Sequence, residues 1–310
     1  MKLYIIGNGF DLYHNIKSSY YNFKEYLQKH DSQLLKIIEE YLFYFESENP
    51  NENDLWCRFE ENLAHLEEEK LRKMASNFLI DYGSEEWDDS ANHNYSNEIG
   101  KVVEALTKRL RKRLTEWALT LKEPATNQKS LPIDKDAKFL SFNYTSTLED
   151  KYKPLTKVLH IHGKADISNS ELVLGHATPP NTPPQHKEIK KNMSAEDYQI
   201  YCEEHSSDDP RIGEGENELQ NYWEKSFKDT SKIISDNQSF FDNLDNVDEV
   251  HVIGSSLSPI DLEYFKKISD KIPNARWIVS YHRQKDLEEY RNKLINDLEI
   301  SENNIDLFYI

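Results

Sequence analysis

The stretch Leu3-Tyr4-Ile5-Ile6-Gly7-Asn8-Gly9-Phe10-Asp11-Leu12 decides how the rest of the chain is read. Consecutive apolar residues without polar alternation predict a strand buried on both faces, as in a parallel sheet. Gly7 and Gly9 allow a sharp turn and a close approach of backbone to a ligand. A helix starting there offers free N–H groups to a phosphate. The match to G-x-G-x-x-G is partial: Leu12 occupies the third glycine position, and Asp11 places negative charge where a pyrophosphate would lie. The alternative is an ordinary strand-to-helix turn with Asp11 as N-cap.

Downstream the periodicity becomes helical. Leu34, Ile37, Ile38, Tyr41, Leu42 and Phe45 recur at three- and four-residue spacing, as do Leu55, Trp56, Phe59, Leu63 and Leu66. Val103, Leu106, Leu110, Leu114, Trp117 and Leu121 form another such stripe, so residues from about 18 to 122 read as packed amphipathic helices. The polar stretch from Pro124 to Asp136 is a connector. Strands are expected at 138–143, 158–162, 172–174, 249–253 and 277–281. A proline-rich loop is expected from Thr178 to Pro184, and a segment helical at both ends from Lys187 to Asn243, with a loop at Asp208-Asp209-Pro210. Helices are expected over 261–271 and 284–298. Strands alternating with helices predict an α/β fold with a mostly parallel sheet, in which ligands bind beyond the carboxyl ends of the strands.

Composition narrows the function classes. Lys and Arg number 38 against 56 Asp and Glu, a formal net charge of −18, which opposes broad phosphate-driven binding to nucleic acid. The chain is 37% hydrophobic and 12% aromatic, too rich in rings for a disordered polymer. Cys57 and Cys202 sit in unrelated segments, so no C-x-x-C pair starts a zinc site, although a single disulfide stays open. No leader-type or membrane-spanning apolar run is present, which makes the cytoplasm the default expectation and a membrane partner unexpected. The basic run Lys108-Arg109-Leu110-Arg111-Lys112-Arg113 reads either as a nucleic-acid patch or, better, as a solvated helix face interrupted by Leu110.

Polar residues collect where strands are expected to end. Asn143, between Phe142 and Tyr144-Thr145, can orient a sugar hydroxyl or a water, or simply support a turn. His160 and His162 would share a face of a regular strand. His162, followed by Gly163, would be an exposed general base, whereas His160 reads as a core histidine satisfied by backbone. His176 would add a second imidazole. Gly254-Ser255-Ser256 suits a phosphate or ribose, with Asp261 accepting from ribose hydroxyls; the alternative is a helix capped by Ser258 or Asp261. Trp56-x-x-Phe59-Glu60 reads as packing among the helices.

Taken together, Gly7-Asn8-Gly9-Phe10-Asp11-Leu12 with His14, Ser19-Tyr20 and Phe23, then Trp56-x-x-Phe59-Glu60, resemble the AbiH-type bacteriophage abortive-infection family. So do Ser141-Phe142-Asn143-Tyr144-Thr145, His160-Ile161-His162-Gly163, Gly175-His176 and Ile253-Gly254-Ser255-Ser256-Leu257. More distantly, the same order is similar to the sirtuin-like NAD-binding fold: a glycine-rich turn, an Asn at a strand end, a His-Gly and a G-[ST]-S-L turn. That resemblance implies a Rossmann-like, sirtuin-like single domain over 1–310 with a large helical insertion after the first strand (18–125) and a second insertion at 177–245. It implies catalytic roles for Asn143 and His162, with Gly7, Asn8, Gly9, Phe10, Asp11, Tyr144, His176, Gly254, Ser255, Ser256 and Asp261 around NAD.

The sirtuin-like pattern has a small hydroxyl residue where Asp11 stands and an acidic residue where Thr145 stands. Its zinc-binding cysteine quartet is absent, and no metal is expected. The implied function is an anti-phage effector cleaving NAD, as substrate or ligand, to nicotinamide and ADP-ribose. The alternative, favoured by Asp11 and Thr145, is a non-catalytic nucleotide-binding sensor or partner-binding module. A phage-derived trigger and homo-oligomerisation stay open as partners. A nucleic-acid-directed effector rests only on the basic run.

Overall fold

The computed structural model describes the chain except residues 44–51, 86, 123, 125–128, 168–169 and 181–208. Phe45, Cys202, most of the proline-rich loop and the helix expected from Lys187 therefore lie outside the described residues. The strands β1 (Lys2–Ile6), β2 (Lys138–Ser141), β3 (Val158–His160), β4 (Glu249–Ile253), β5 (Arg276–Tyr281) and β6 (Ile305–Tyr309) form one sheet in the order β3-β2-β1-β4-β5-β6. Every pairing is parallel. The sense in which successive strands are added reverses between β1 and β4, the switch point at which doubly wound sheets leave a crevice.

The apolar run of β1 is buried on both faces, as its composition demands. Leu3 and Ile5 join a core with Leu140, Val250, Val252, Phe265 and Trp277, while Tyr4 and Ile6 join another with Phe10, Phe139, Leu148 and Tyr152. Helices supply those partners: Asn8–Tyr13 and Thr147–Tyr152 to one core, Gln238–Asp242 and Leu262–Lys271 to the other.

Three strand expectations need correction. β2 and β3 stop at Ser141 and His160, which releases Phe142-Asn143 and Ile161-His162 into turns. Leu172-Val173-Leu174 is no strand: Leu172 and Leu174 point into protein, and the Val173 N–H reaches the His162 carbonyl at 2.9 Å, but no ladder follows. β6 adds a strand beyond those expected, although Ile305-Asp306-Leu307-Phe308-Tyr309 has the required β-branched and aromatic composition.

The described residues divide into two compact units: residues 1–26, 111–174 and 229–310, which hold the sheet, and residues 27–110 and 175–228. The second unit is built of helices, including Ser32–Tyr41, Glu68–Ser76, Asn94–Glu104 and Pro210–Ser226. Asp209-Pro210 starts the last of these rather than a loop, because the Asp209 carboxylate caps the Arg211 N–H and proline suits the first helical position. Trp56 and Phe59 are fully buried and stacked, ring centres 5.2 Å apart, so that motif is packing.

The basic run is largely consumed inside the molecule. Lys108 faces Glu104, Arg109 pairs with Asp31, Arg111 donates to the Leu174 carbonyl and Arg113 pairs with Glu116. Asp31 also caps the Leu34 N–H of helix Ser32–Tyr41. Replacing Asp31 by alanine removes a cap and strands a guanidinium, and is expected to cost about 2 kcal/mol, read as a lowered denaturant midpoint. Among the described residues no helix is long and apolar enough to cross a membrane.

Candidate functional site

Register creates the site. Ile6 pairs with Ser141 on one side and Ile253 on the other, so the turns after β1, β2 and β4 leave the sheet level with one another. The Gly7 N–H donates to the Ile253 carbonyl at 2.9 Å and the Gly9 N–H to the Gly254 carbonyl at 2.7 Å. Phe10 N–H donates to the Gly7 carbonyl, and Gly254 N–H to Ser280 Oγ at 2.8 Å. These four amides are committed to protein, which corrects the expectation that they stand free for a phosphate.

Glycine is needed there for closeness of backbone to backbone. A Cβ on Gly9 would stand 2.7 Å from the Gly254 Cα, and one on Gly254, whose φ is +70°, only 2.1 Å from the Phe10 nitrogen.

The helix after β1 begins at Asn8 with Gly7 at its cap, so Asp11 lies inside it and caps nothing. Asp11 is buried, and the Thr145 hydroxyl donates to its Oδ2 at 2.6 Å; the Thr147 hydroxyl in turn donates to Thr145 at 3.1 Å. Burial pushes the Asp11 carboxyl above its usual 3.8, opposed by the side chains of Thr145, Thr147 and Asn143. A raised native value means this group's stabilising contribution is complete below pH 3.8 and is lost as pH rises through the native value. The gain in Tm of Asp11→Asn over wild type is therefore expected to grow from pH 4 toward neutrality. A difference that stays flat across that range would contradict the assignment.

Asn143 leaves β2 beside Asp11. Its amide lies close enough to oppose the Asp11 shift, yet neither Oδ1 nor Nδ2 completes a hydrogen bond of normal geometry, and both are buried. Its backbone carbonyl accepts from His160 Nδ1 at 3.0 Å, and His160 Nε2 lies 2.8 Å from Glu149 Oε1. Both ring nitrogens thus face oxygen atoms, one of a backbone carbonyl and one of a carboxylate. Burial alone would raise the Glu149 carboxyl, but the hydrogen bond and charge of His160 prevail and hold it below its ordinary value.

His162 is not the exposed base that the following Gly163 suggests. The turn after β3 folds it inward to 3% exposure, against the rings of Phe142 and Tyr264 at 5.2 and 5.5 Å. Its Nε2 faces Asp261 Oδ1 at 3.6 Å, beyond hydrogen-bond length. Because β3 has already ended, the two histidines do not share a face as a regular strand would require. No hydrogen bond joins the Asn143 side chain to His162.

Around this centre Asn8 and Ser256 are exposed and Ser255 is half-buried, its hydroxyl accepting from the Leu257 N–H. The Phe10 side chain is wholly core, and the Tyr144 hydroxyl donates to the Val173 carbonyl. His176 belongs to the helical unit, where its Nε2 meets Ser226 Oγ at 3.0 Å and burial drives its pKa down to about 4.

Sequence reasoning missed Thr147, Tyr264 and the buried clamp of His14. The His14 Nδ1–H donates to the Phe10 carbonyl at 2.7 Å, and its Nε2 accepts from the Tyr152 hydroxyl at 2.8 Å. Thr147 could have been found, since it begins the helix directly after Asn143-Tyr144-Thr145. Among the described residues no cluster of His, Cys, Asp and Glu is arranged to hold a metal.

The family model described as bacteriophage abortive infection AbiH matches residues 3–281, and every residue of this centre falls within that span. No curated protein and no solved structure matches the chain significantly.

Proposed function

The chain belongs to the bacteriophage abortive infection AbiH family, and from that premise we propose that it defends against phage by cleaving NAD to nicotinamide and ADP-ribose at the carboxyl ends of β1, β2 and β4. The observation that carries this reading is Asn143. A buried amide whose contact with Asp11 falls short of a full hydrogen bond costs about 1–3 kcal/mol, a cost that a ligand bound there would offset. Its place beside the switch point is where a doubly wound sheet binds one.

The two departures from the sirtuin-like pattern, which favour the non-catalytic alternative, meet each other in the fold. Asp11 stands at a hydroxyl position and Thr145 at an acid position, and the two side chains hydrogen-bond to each other.

In this mechanism the bond between the ribose anomeric carbon and nicotinamide breaks, its electron pair leaving with nicotinamide. Asn143 orients the water or the ribose hydroxyls at the resulting oxocarbenium-like centre. Water adds to that carbon and its proton passes to His162, which Asp261 faces. Ser255 and Ser256 supply hydroxyls to the remaining ribose or phosphate. His162 is buried in the described form, so turnover requires the packing of Phe142 and Tyr264 around it to open while Asp261 keeps its place.

That burial, with the committed amides of Gly7 and Gly9, also favours a second reading, a nucleotide-binding sensor without turnover. Mass spectrometry of nucleotides carried through purification, followed by an NAD turnover assay, separates them. Nicotinamide release supports cleavage, and binding of NAD or ADP-ribose without release supports the sensor. Absence of both would overturn both readings.

A further inference from the structure

The sheet ends in two edges, β3 and β6, and they are built differently. An edge strand presents a row of unpaired N–H and C=O groups, which soluble proteins blunt with short strands, lysine or proline. β3 has those devices: it runs only from Val158 to His160 and is preceded by Pro154 and Lys157. β6 has none of them. Ile305-Asp306-Leu307-Phe308-Tyr309 holds no lysine or proline, and its register with β5 is unbroken from Trp277↔Ile305 to Tyr281↔Tyr309, without a bulge. Its one charge, Asp306, is paired with Arg276 of β5. Tyr309 is 66% exposed, stacked on His282 and edge-on to Tyr281. Tyrosine is among the side chains that protein interfaces concentrate.

The phase of the ladder decides which backbone groups are open. The Ile310 N–H donates to the Tyr281 carbonyl, so alternation turns Phe308 and Asp306 toward β5 and leaves Ile305, Leu307 and Tyr309 facing outward. Among the described residues no backbone hydrogen bond reaches those outward groups. Their positions are symmetric about Leu307. We infer that β6 pairs antiparallel with β6 of a second copy of this chain, about a two-fold axis at Leu307, so that two sheets become one. In that register Leu307 meets Leu307 of the second copy and Ile305 meets its Tyr309, and every outward N–H and C=O gains a partner. The side chains of these residues share one face, so an apolar row runs on through both copies. On the other face Asp306 stands across from Phe308, and no like charges oppose each other. An axis at Asp306 would set two carboxylates against each other and leave Tyr309 unpaired, and one at Phe308 would leave Ile305 unpaired. The strand is thus complementary to itself in one register, which favours a second copy over an unrelated peptide.

Sedimentation equilibrium of the full chain over a range of concentrations tests this, and the wild-type chain is expected to form a dimer. Leu307→Lys and Leu307→Glu each set like charges against each other at the axis, and each is expected to raise the dimer dissociation constant about tenfold or more. An equimolar mixture of the two variants should restore the dimer, because only a residue on the axis faces its own copy. Tyr309→Pro alters an exposed side chain and removes one outward N–H, which an edge strand tolerates. It is expected to weaken the dimer about as much with its thermal melt unchanged, and it decides the matter if the Leu307 variants fail to fold. The inference is overturned if the wild-type chain is monomeric at every concentration, as an edge reserved for a peptide of another protein would leave it. It is equally overturned if folded Leu307 variants or Tyr309→Pro dimerise as well as wild type, or if the mixed Leu307 variants stay apart.

Discussion

Replacing Asn143 by alanine is expected to lower nicotinamide release from NAD by about 10²–10⁴ while leaving the protein at least as stable as wild type. The two halves of that result come from one fact. The Asn143 amide is buried without a full hydrogen bond, so its removal relieves an incompletely compensated desolvation and takes from Asp11 only a weak contact. A purely structural asparagine would behave in the opposite way, losing stability when truncated. His162→Ala should produce a similar loss of turnover, but with some destabilisation, because its ring packs against Phe142 and Tyr264. Nicotinamide release and a thermal melt, measured on the same preparations, read both quantities. Undiminished NAD consumption in both variants would remove Asn143 and His162 from the mechanism.

The second large effect is expected at Gly254. A Cβ there would meet the Phe10 nitrogen at 2.1 Å and the Gly9 carbonyl carbon at 2.5 Å, and these are backbone atoms that no rotamer change can move aside. The positive φ adds roughly 1–2 kcal/mol for any L side chain. Overpacking of this kind adds about 1–3 kcal/mol, and more where the neighbours are rigid. Gly254→Ala is therefore expected to destabilise by about 5 kcal/mol, a large part of what a domain ordinarily possesses. Gly83→Ala is the matched control: nothing lies within 4 Å of its added carbon, and its stability should be nearly unchanged. A melt of Gly254→Ala coincident with that of Gly83→Ala would show that the two turns are not as closely locked as described.

The first strand is legible in the sequence because four apolar residues in succession, closed by glycine, fit a doubly buried strand and little else, and the run of β4, though interrupted by His251, is likewise closed by glycine. What those glycines approach is not legible. Close approach to a ligand and close approach to another chain segment demand the same absence of Cβ, and only the pairing of β1 with β4 distinguishes them. The destination of His162 is hidden in a comparable way. Alternation predicts a shared face for His160 and His162 only while the strand lasts, and β3 ends between them. Asp11 and Thr145 read as two separate losses, since nothing local indicates that side chains 134 positions apart meet.

The strand order has a consequence for how this protein is made. β1 leaves the ribosome long before β4 yet belongs at the centre beside it, and the two are so far apart in the chain that the Met1 amino group meets Asp248 across 247 positions. At ordinary rates of synthesis, roughly 5–20 residues per second, the nascent apolar strand waits on the order of 10–50 s for that partner. During the wait Leu3, Tyr4, Ile5 and Ile6 have one flank without a mate, and a chaperone that shields short hydrophobic segments would find its natural client there.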